Sequence, residues 1–156
     1  MINYNDNTIY LRVFHQANKF KSLVESYNIK KADFFDLNVI YVNMLLSCEL
    51  YLKSILSKYG VSNSKLQKCG HNLESLFNLL NNDIQKELIN RFKCFYVINL
   101  CEFLNKVKND FVECRYMFLE EKNNKMYFNF VKNLMYELNH MASVDMYGMD
   151  TYKELK

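Results

Sequence analysis

The chain has 156 residues, half of them hydrophobic, which suits one folded domain and excludes a disordered chain. It contains no proline and three glycines, too few turn residues for an all-β protein. The formal net charge of +3 permits a nucleic-acid partner without requiring one, because the lysines are scattered among carboxylates and asparagines. We predict an all-α fold, a bundle of about five helices spanning residues 1–143, followed by a loosely ordered tail at residues 144–156.

The first two predicted helices are separated by a short linker, residues 28–33. The first covers about residues 7–27 and carries apolar side chains at helical spacing. The second has the clearest apolar stripe in the chain, which runs from Leu37 to Tyr59 and ends at Gly60. A further apolar face predicts that this helix is central or shared with a partner subunit, and that face consists of Val39, Val42, Leu46 and Leu50.

Three more helical segments are predicted in the second half of the chain. A polar loop, residues 61–70, leads to a short helix that begins near His71. The next segment bends near Phe95 and continues as a long helix to Phe118, with apolar residues in steps of four and three. The last helix covers about residues 125–143.

The cysteines and the N-terminus bear on localisation. Five cysteines without a C-x-x-C pair indicate free thiols in a reducing cytosol, not a disulfide framework. The N-terminus lacks the basic start and apolar core of a signal peptide. Glu49 and Lys53 interrupt the most apolar segment, residues 39–56, which predicts a buried helix and not a membrane span. We expect a cytoplasmic protein with no membrane partner.

Glu49 lies on the apolar face of the second helix, where an unpaired carboxylate is costly. Lys53 follows four residues later, and Arg115 is a second basic residue among apolar neighbours. We predict that Glu49 pairs with Lys53 or Arg115. The pair has a structural interpretation, and a functional one in which Glu49 positions a catalytic or RNA-contacting group. Arg115 could instead hold a phosphate.

The histidines are the other candidates for chemistry. His71 is either a helix-start residue followed by Asn72 as the N-cap, or a group for proton transfer or phosphate contact. Glu137-x-x-His140 has the spacing of di-iron helical bundles, but the chain has no second copy. Cys69-x-His71 likewise lacks a second pair of zinc ligands. We therefore expect no metal and no cofactor.

Three segments carry a family resemblance. S-C-E-L-Y-L-K-S-I-L at residues 47–56 resembles the A-x-E-L-x-L-K-x-x-L helix of many bacterial HEPN proteins. H-N-L-E-S-L-F at residues 71–77 is similar to their H-[DN]-L-x-x-L-[FY] element. F-V-E-C-R-Y-M-F at residues 111–118 resembles their F-V-x-W-R-Y-x-[FY] helix, with Cys114 in place of the common tryptophan. The resemblance covers roughly residues 35 to 140.

The resemblance implies a mostly antiparallel helical bundle that often dimerises. HEPN members include metal-independent ribonucleases of toxin–antitoxin, phage-defence and CRISPR systems, and also non-catalytic modules. The ribonucleases carry an arginine, usually followed by a polar residue, with a histidine four to six positions further on. Neither Arg91 nor Arg115 has a histidine at that distance, and His140 follows Lys132, a lysine, by too many residues.

Two hypotheses follow. In the first, this is a HEPN-like module in a bacterial or phage conflict system that acts through dimerisation, as a homodimer or a heteromer, and through protein or RNA binding. In the second, it is a divergent ribonuclease in which His71 or His140 takes a proton and Arg115 holds phosphate charge. The missing spacing favours the first, so we expect RNA to stay intact in EDTA. The predicted binding or structural cluster consists of Glu49, Lys53, Asn72 and Tyr116.

Overall fold

The computed structural model describes residues 9–116 and 126–147, and in these ranges the chain is helical without a β-strand. The all-α prediction is therefore confirmed. A short 3-10 turn, Ile29–Lys31, precedes the second helix, and a π-helical turn, Phe92–Tyr96, follows the fifth. The α-helices are α1 (Ile9–Ser26), α2 (Phe34–Lys58), α3 (Asn63–Cys69), α4 (Leu73–Phe77), α5 (Asn82–Arg91), α6 (Leu100–Val107), α7 (Asp110–Arg115) and α8 (Phe128–Tyr147).

α2 is the central helix and contributes the largest share of the buried side chains among the described helices. Its start is fixed by a capping box, in which Asp33 accepts a hydrogen bond from the Asp36 backbone N–H and the Asp36 carboxylate accepts one from Asp33 N–H. Its end is followed by Gly60, whose φ of +80° suits glycine. The predicted stripe and stop of this helix are both observed.

α1 and α8 pack against α2 in opposite directions. α1 is antiparallel to α2, since the Ser47 hydroxyl donates to the Ala17 carbonyl at 3.1 Å while residue 14 contacts residue 51. α8 is parallel to α2, since Tyr41 meets the backbone N–H of residue 127 and Lys58 meets Asp145. The α2–α8 pair therefore departs from a mostly antiparallel arrangement.

The second apolar face of α2 is mostly covered within the chain. Val42, Leu46 and Leu50 are half-buried against the core, and Val39 is exposed. The surface that the sequence assigned to a partner is therefore smaller than expected at this helix. Exposed aromatic residues occur instead at its first turn, at Phe34 and Phe35.

Three boundaries differ from the predictions. Residues 63–69, predicted as loop, form α3, because Ser62 caps the first turn and Leu66 is buried. The predicted long helix is divided, with α6 and α7 following the π-helical turn. The last helix extends beyond residue 143 to Tyr147, because Lys58 and Tyr59 bind Asp145. Phe118 and residues 148–156 lie outside the described residues.

The five cysteines are free thiols, as predicted, and Cys48 and Cys114 are buried. Burial raises the pKa of Cys114 to about 12. By length and composition α2 could cross a membrane, and 67% of its most apolar stretch is buried inside the protein. Such burial is what the central helix of a helical core shows.

Candidate functional site

The predicted ion pair on α2 is present. Glu49 is 3% exposed, and Lys53 Nζ donates to Glu49 Oε1 at 2.6 Å from one turn further along the helix. The i,i+4 spacing places both side chains on one face, so the pair forms from local geometry alone. The prediction that Glu49 pairs with Lys53 is confirmed.

His71 forms a hydrogen bond with the other oxygen of the Glu49 carboxylate. Its Nδ1 lies 2.7 Å from Glu49 Oε2, and the side chain is 41% exposed. Asn72, the next residue, is the N-cap of α4, as predicted, because its side chain accepts a hydrogen bond from Ser75 N–H at 2.8 Å. The cap fixes the backbone beside His71 and thereby holds the imidazole at α2.

The hydrogen bond assigns the tautomer of His71. An ionised carboxylate only accepts hydrogen bonds, so Nδ1 of His71 donates to Glu49. In the neutral ring the proton therefore lies on Nδ1, and Nε2 is left as the basic nitrogen. This is the arrangement in which a histidine can accept a proton from a ligand.

Arg115 does not pair with Glu49, whose two oxygens are taken by Lys53 and His71. Its guanidinium carbon lies 4.9 Å from the centre of the Phe111 ring, one turn earlier on α7. The His71 ring stacks on the same phenyl ring, with centres 4.1 Å apart and planes at 29°. The Arg115 guanidinium and the His71 ring therefore both contact the ring of Phe111, which brings the two polar groups close together.

We call this group the Glu49 cluster, and it consists of Glu49, Lys53, His71, Phe111 and Arg115. Tyr116 borders it, half exposed, with its ring centre 5.4 Å from the Arg115 guanidinium carbon. Sequence spacing does not indicate that His71 and Glu49 meet, because they are 22 residues apart. One feature of the sequence could have indicated a further partner. A buried carboxylate has two oxygens, and the oxygen that Lys53 does not bind needs a hydrogen-bond donor of its own.

His140 belongs to a different part of the protein. It is 9% exposed on α8, one turn after Glu137, which is 1% exposed. Glu137 accepts hydrogen bonds from Arg91 Nε at 2.5 Å and from the Tyr96 hydroxyl at 2.7 Å. We call Arg91, Tyr96 and Glu137 the Glu137 cluster. The burial of His140 is a poor basis for the predicted proton-transfer role, because a substrate needs access to the ring.

The Glu137 cluster was missed at the level of the sequence, although Glu137 stands within the apolar stripe of the last helix. A carboxylate in that position needs partners as much as Glu49 does. The expected absence of a metal rested on ligand spacing, and in the described ranges no three metal-ligating side chains converge.

Asp110, at the start of α7, is a third carboxylate at a helix contact. Its Oδ2 accepts a hydrogen bond from the Tyr41 hydroxyl at 2.5 Å, and Tyr41 in turn accepts one from the backbone N–H of Tyr127. Desolvation raises the pKa of Asp110, and the nearby Glu113 adds to this, while the bond from Tyr41 opposes it. Burial also raises the pKa of Tyr41, which therefore stays protonated.

No family model matches the chain, and no curated protein or solved structure is detectably similar to it.

Proposed function

We propose that the protein is a HEPN-like helical module of a bacterial or phage conflict system that binds RNA at the Glu49 cluster. It would assemble as a homodimer or with a cognate protein. One observation carries this proposal: the three segments that resemble HEPN motifs supply the members of one cluster. Residues 47–56 provide Glu49 and Lys53, and residues 71–77 provide His71. The third segment, which begins at residue 111, provides Phe111 and Arg115.

The chemistry of the cluster suits a phosphodiester ligand. Arg115 is exposed and offers a planar guanidinium, which binds phosphate oxygens in pairs. His71 is partly exposed and can donate or accept a hydrogen bond at Nε2. Tyr116 is half exposed and provides a ring on which a base can stack. Phe111 is buried and supports both polar groups without contacting the ligand.

Binding is tested with a fluorescently labelled single-stranded RNA in EDTA, by anisotropy at several salt concentrations. We expect Arg115→Ala to weaken binding about tenfold, the loss of roughly one charge-assisted contact. The slope of log affinity against log salt should fall by about one. The matched control is Lys86→Ala, which removes one exposed positive charge from α5. An equal loss in both variants would mean that net charge, and not the cluster, binds the RNA.

Assembly is a separate part of the proposal. It is supported by the HEPN resemblance and by the exposed pair Phe34 and Phe35 at the first turn of α2, which are 56% and 69% exposed. Light scattering at micromolar concentration should show a dimer, and Phe35→Ser should shift it towards the monomer. If the wild type is a monomer and still binds RNA, the assembly part of the proposal is wrong and the proposed binding site stands.

A metal-independent ribonuclease is the second candidate, and the Glu49–His71 hydrogen bond favours it. With Nδ1 bound to the carboxylate, Nε2 of His71 is the nitrogen that would take the ribose 2′-hydroxyl proton. The 2′-oxygen would then attack the phosphorus and expel the 5′-oxygen, which would take up a proton from water, while Arg115 held the phosphorane charge. The products would be a 2′,3′-cyclic phosphate and a 5′-hydroxyl.

Cleavage in EDTA separates the two candidates. Because the arginine–histidine spacing of the ribonucleases is absent, we expect bound RNA to stay intact. Cleavage that is lost in His71→Ala and retained in a variant of the buried His140, such as His140→Gln, would establish the ribonuclease instead. Loss in both variants with unchanged folding would contradict the assignment of His71 as the only base.

A further inference from the structure

The connection between α5 and α6 contains a strained residue. The π-helical turn Phe92–Tyr96 ends at Val97, which has φ +54° and ψ +40°. Among the described residues other than glycine, Val97 alone has a positive φ. A β-branched residue is strongly disfavoured in this left-handed region. Val97 is also 88% exposed, so burial of its side chain does not offset the strain.

The usual helix-breaking residues do not explain this break. Residues 82–107 contain neither glycine nor proline. The buried residues Leu88, Phe92, Leu100 and Leu104 are four, eight and four residues apart. On one continuous α-helix, at about 100° per residue, Leu88 and Leu104 would lie about 160° apart. Their common burial therefore needs a break between them. Asn99 fixes where α6 begins, because its side chain accepts a hydrogen bond from Glu102 N–H. The π-helical turn before it has no side-chain cap, so its form is left to the contacts that it makes with the rest of the fold.

Glu137 on α8 supplies such a contact. Arg91, just before the turn, donates to one carboxylate oxygen, and Tyr96, at its end, donates to the other. In an α-helix, residues five apart point about 140° away from each other, so both could not reach one carboxylate. A π-helical turn has hydrogen bonds from residue i to i+5 and more residues per turn than an α-helix, so it brings residues five apart closer to the same side.

We propose that Glu137 acts as a conformational clamp, which holds residues 91–98 in the π-helical form and thereby forces Val97 into its left-handed conformation. The clamped form exposes Phe95, whose ring lies 5.5 Å from the Arg91 guanidinium carbon. When the clamp is released, the turn relaxes to α-helical geometry and Val97 returns to negative φ. The segment is thus a two-state element controlled by one buried carboxylate.

Hydrogen exchange of the full chain tests the clamp through Tyr96→Phe. This change removes one donor to Glu137 and keeps the ring that packs 5.1 Å from Phe92. The Ile98 amide, which binds the Phe92 carbonyl at 3.2 Å, should exchange at least tenfold faster, while the amides of α2 stay unchanged. Faster exchange throughout α2 would show a general core contact, and unchanged exchange at Ile98 would show no clamp. Either result overturns the proposal.

A second variant tests the released conformation. Glycine suits the left-handed region but is poor inside an α-helix, so Val97→Gly should raise the melting temperature of the wild type. In the Tyr96→Phe background the same substitution should lower it. Val112→Gly is the matched control, because Val112 is an exposed valine within α7, and it should lower the melting temperature in both backgrounds. A stabilising Val97→Gly in both backgrounds would mean that the turn forms without Glu137.

Discussion

Glu49 and Glu137 are two buried carboxylates on long helices. Each accepts one hydrogen bond from a lysine or arginine and one from a side chain with an aromatic ring, a histidine or a tyrosine. They differ in the origin and exposure of those partners. Glu49 takes Lys53 from its own helix and His71, a partner that is 41% exposed. Glu137 binds Arg91 and Tyr96, which lie at the two ends of the π-helical turn of another segment, and the Arg91 side chain is 18% exposed.

The difference distinguishes a site that a ligand can reach from a contact that holds the chain. Water and ligands can approach His71, so its hydrogen bond to Glu49 orients a group that remains available for binding. Lys53 is about as enclosed as Arg91. Glu137 has no partner as exposed as His71 among Arg91 and Tyr96, which are both half-buried. Its hydrogen bonds decide how one segment folds. Removal of each carboxylate should therefore have effects of different size and kind.

The largest effect is expected for Glu137→Ala. It leaves Arg91 without its carboxylate in a mostly buried position, which costs about 3–5 kcal/mol of unfolding free energy. Glu137→Gln keeps an acceptor for Tyr96 and should cost less. Urea denaturation of both variants checks this, and RNA binding by the folded fraction should be unchanged. A loss below about 1 kcal/mol would show that Glu137 is not a structural contact.

Glu49→Ala should have a smaller effect on stability and a larger one on function. We expect a loss of about 2 kcal/mol, because the exposed parts of Lys53 and His71 can regain water. RNA affinity should fall together with it, since His71 loses its fixed tautomer. Lys53→Ala is the control and should cost less than about 1 kcal/mol, as for a partly exposed pair. An unchanged denaturation midpoint in Glu49→Ala would mean that its carboxylate is solvated.

Asp110 extends the comparison to a carboxylate for which the described residues show no ion pair, and here the smallest effect is expected. Its pKa is raised from 3.8, so its contribution to stability is present below that value and is lost as pH rises through the folded pKa. Asp110→Asn keeps an acceptor for Tyr41 and has no such titration. The wild type should therefore lose stability relative to the variant between about pH 3.8 and neutral. Parallel urea midpoints across this range would contradict the raised pKa.

The parts of the site that could be predicted are those formed within one helical turn. Lys53 lies four residues after Glu49, and Asn72 caps α4 through the backbone N–H of Ser75, three residues later. Both contacts can therefore be predicted from sequence spacing. Arg115 is the alternative partner predicted for Glu49, because an arginine among apolar neighbours such as Phe111 usually binds a carboxylate. The ring instead supports the guanidinium directly.

The sequence by itself determined the helical class, the extent of α2 and the need for a partner at Glu49, because apolar periodicity and the cost of a buried charge act locally. Only the tertiary structure decided that His71 is the second partner of Glu49, and that the bend predicted near Phe95 is a complete break at Val97. Both outcomes depend on contacts between distant parts of the chain. A carboxylate fixed on one helix can select the tautomer of a histidine, or the helical pitch of another segment, and neither selection is encoded in the spacing of the residues that respond.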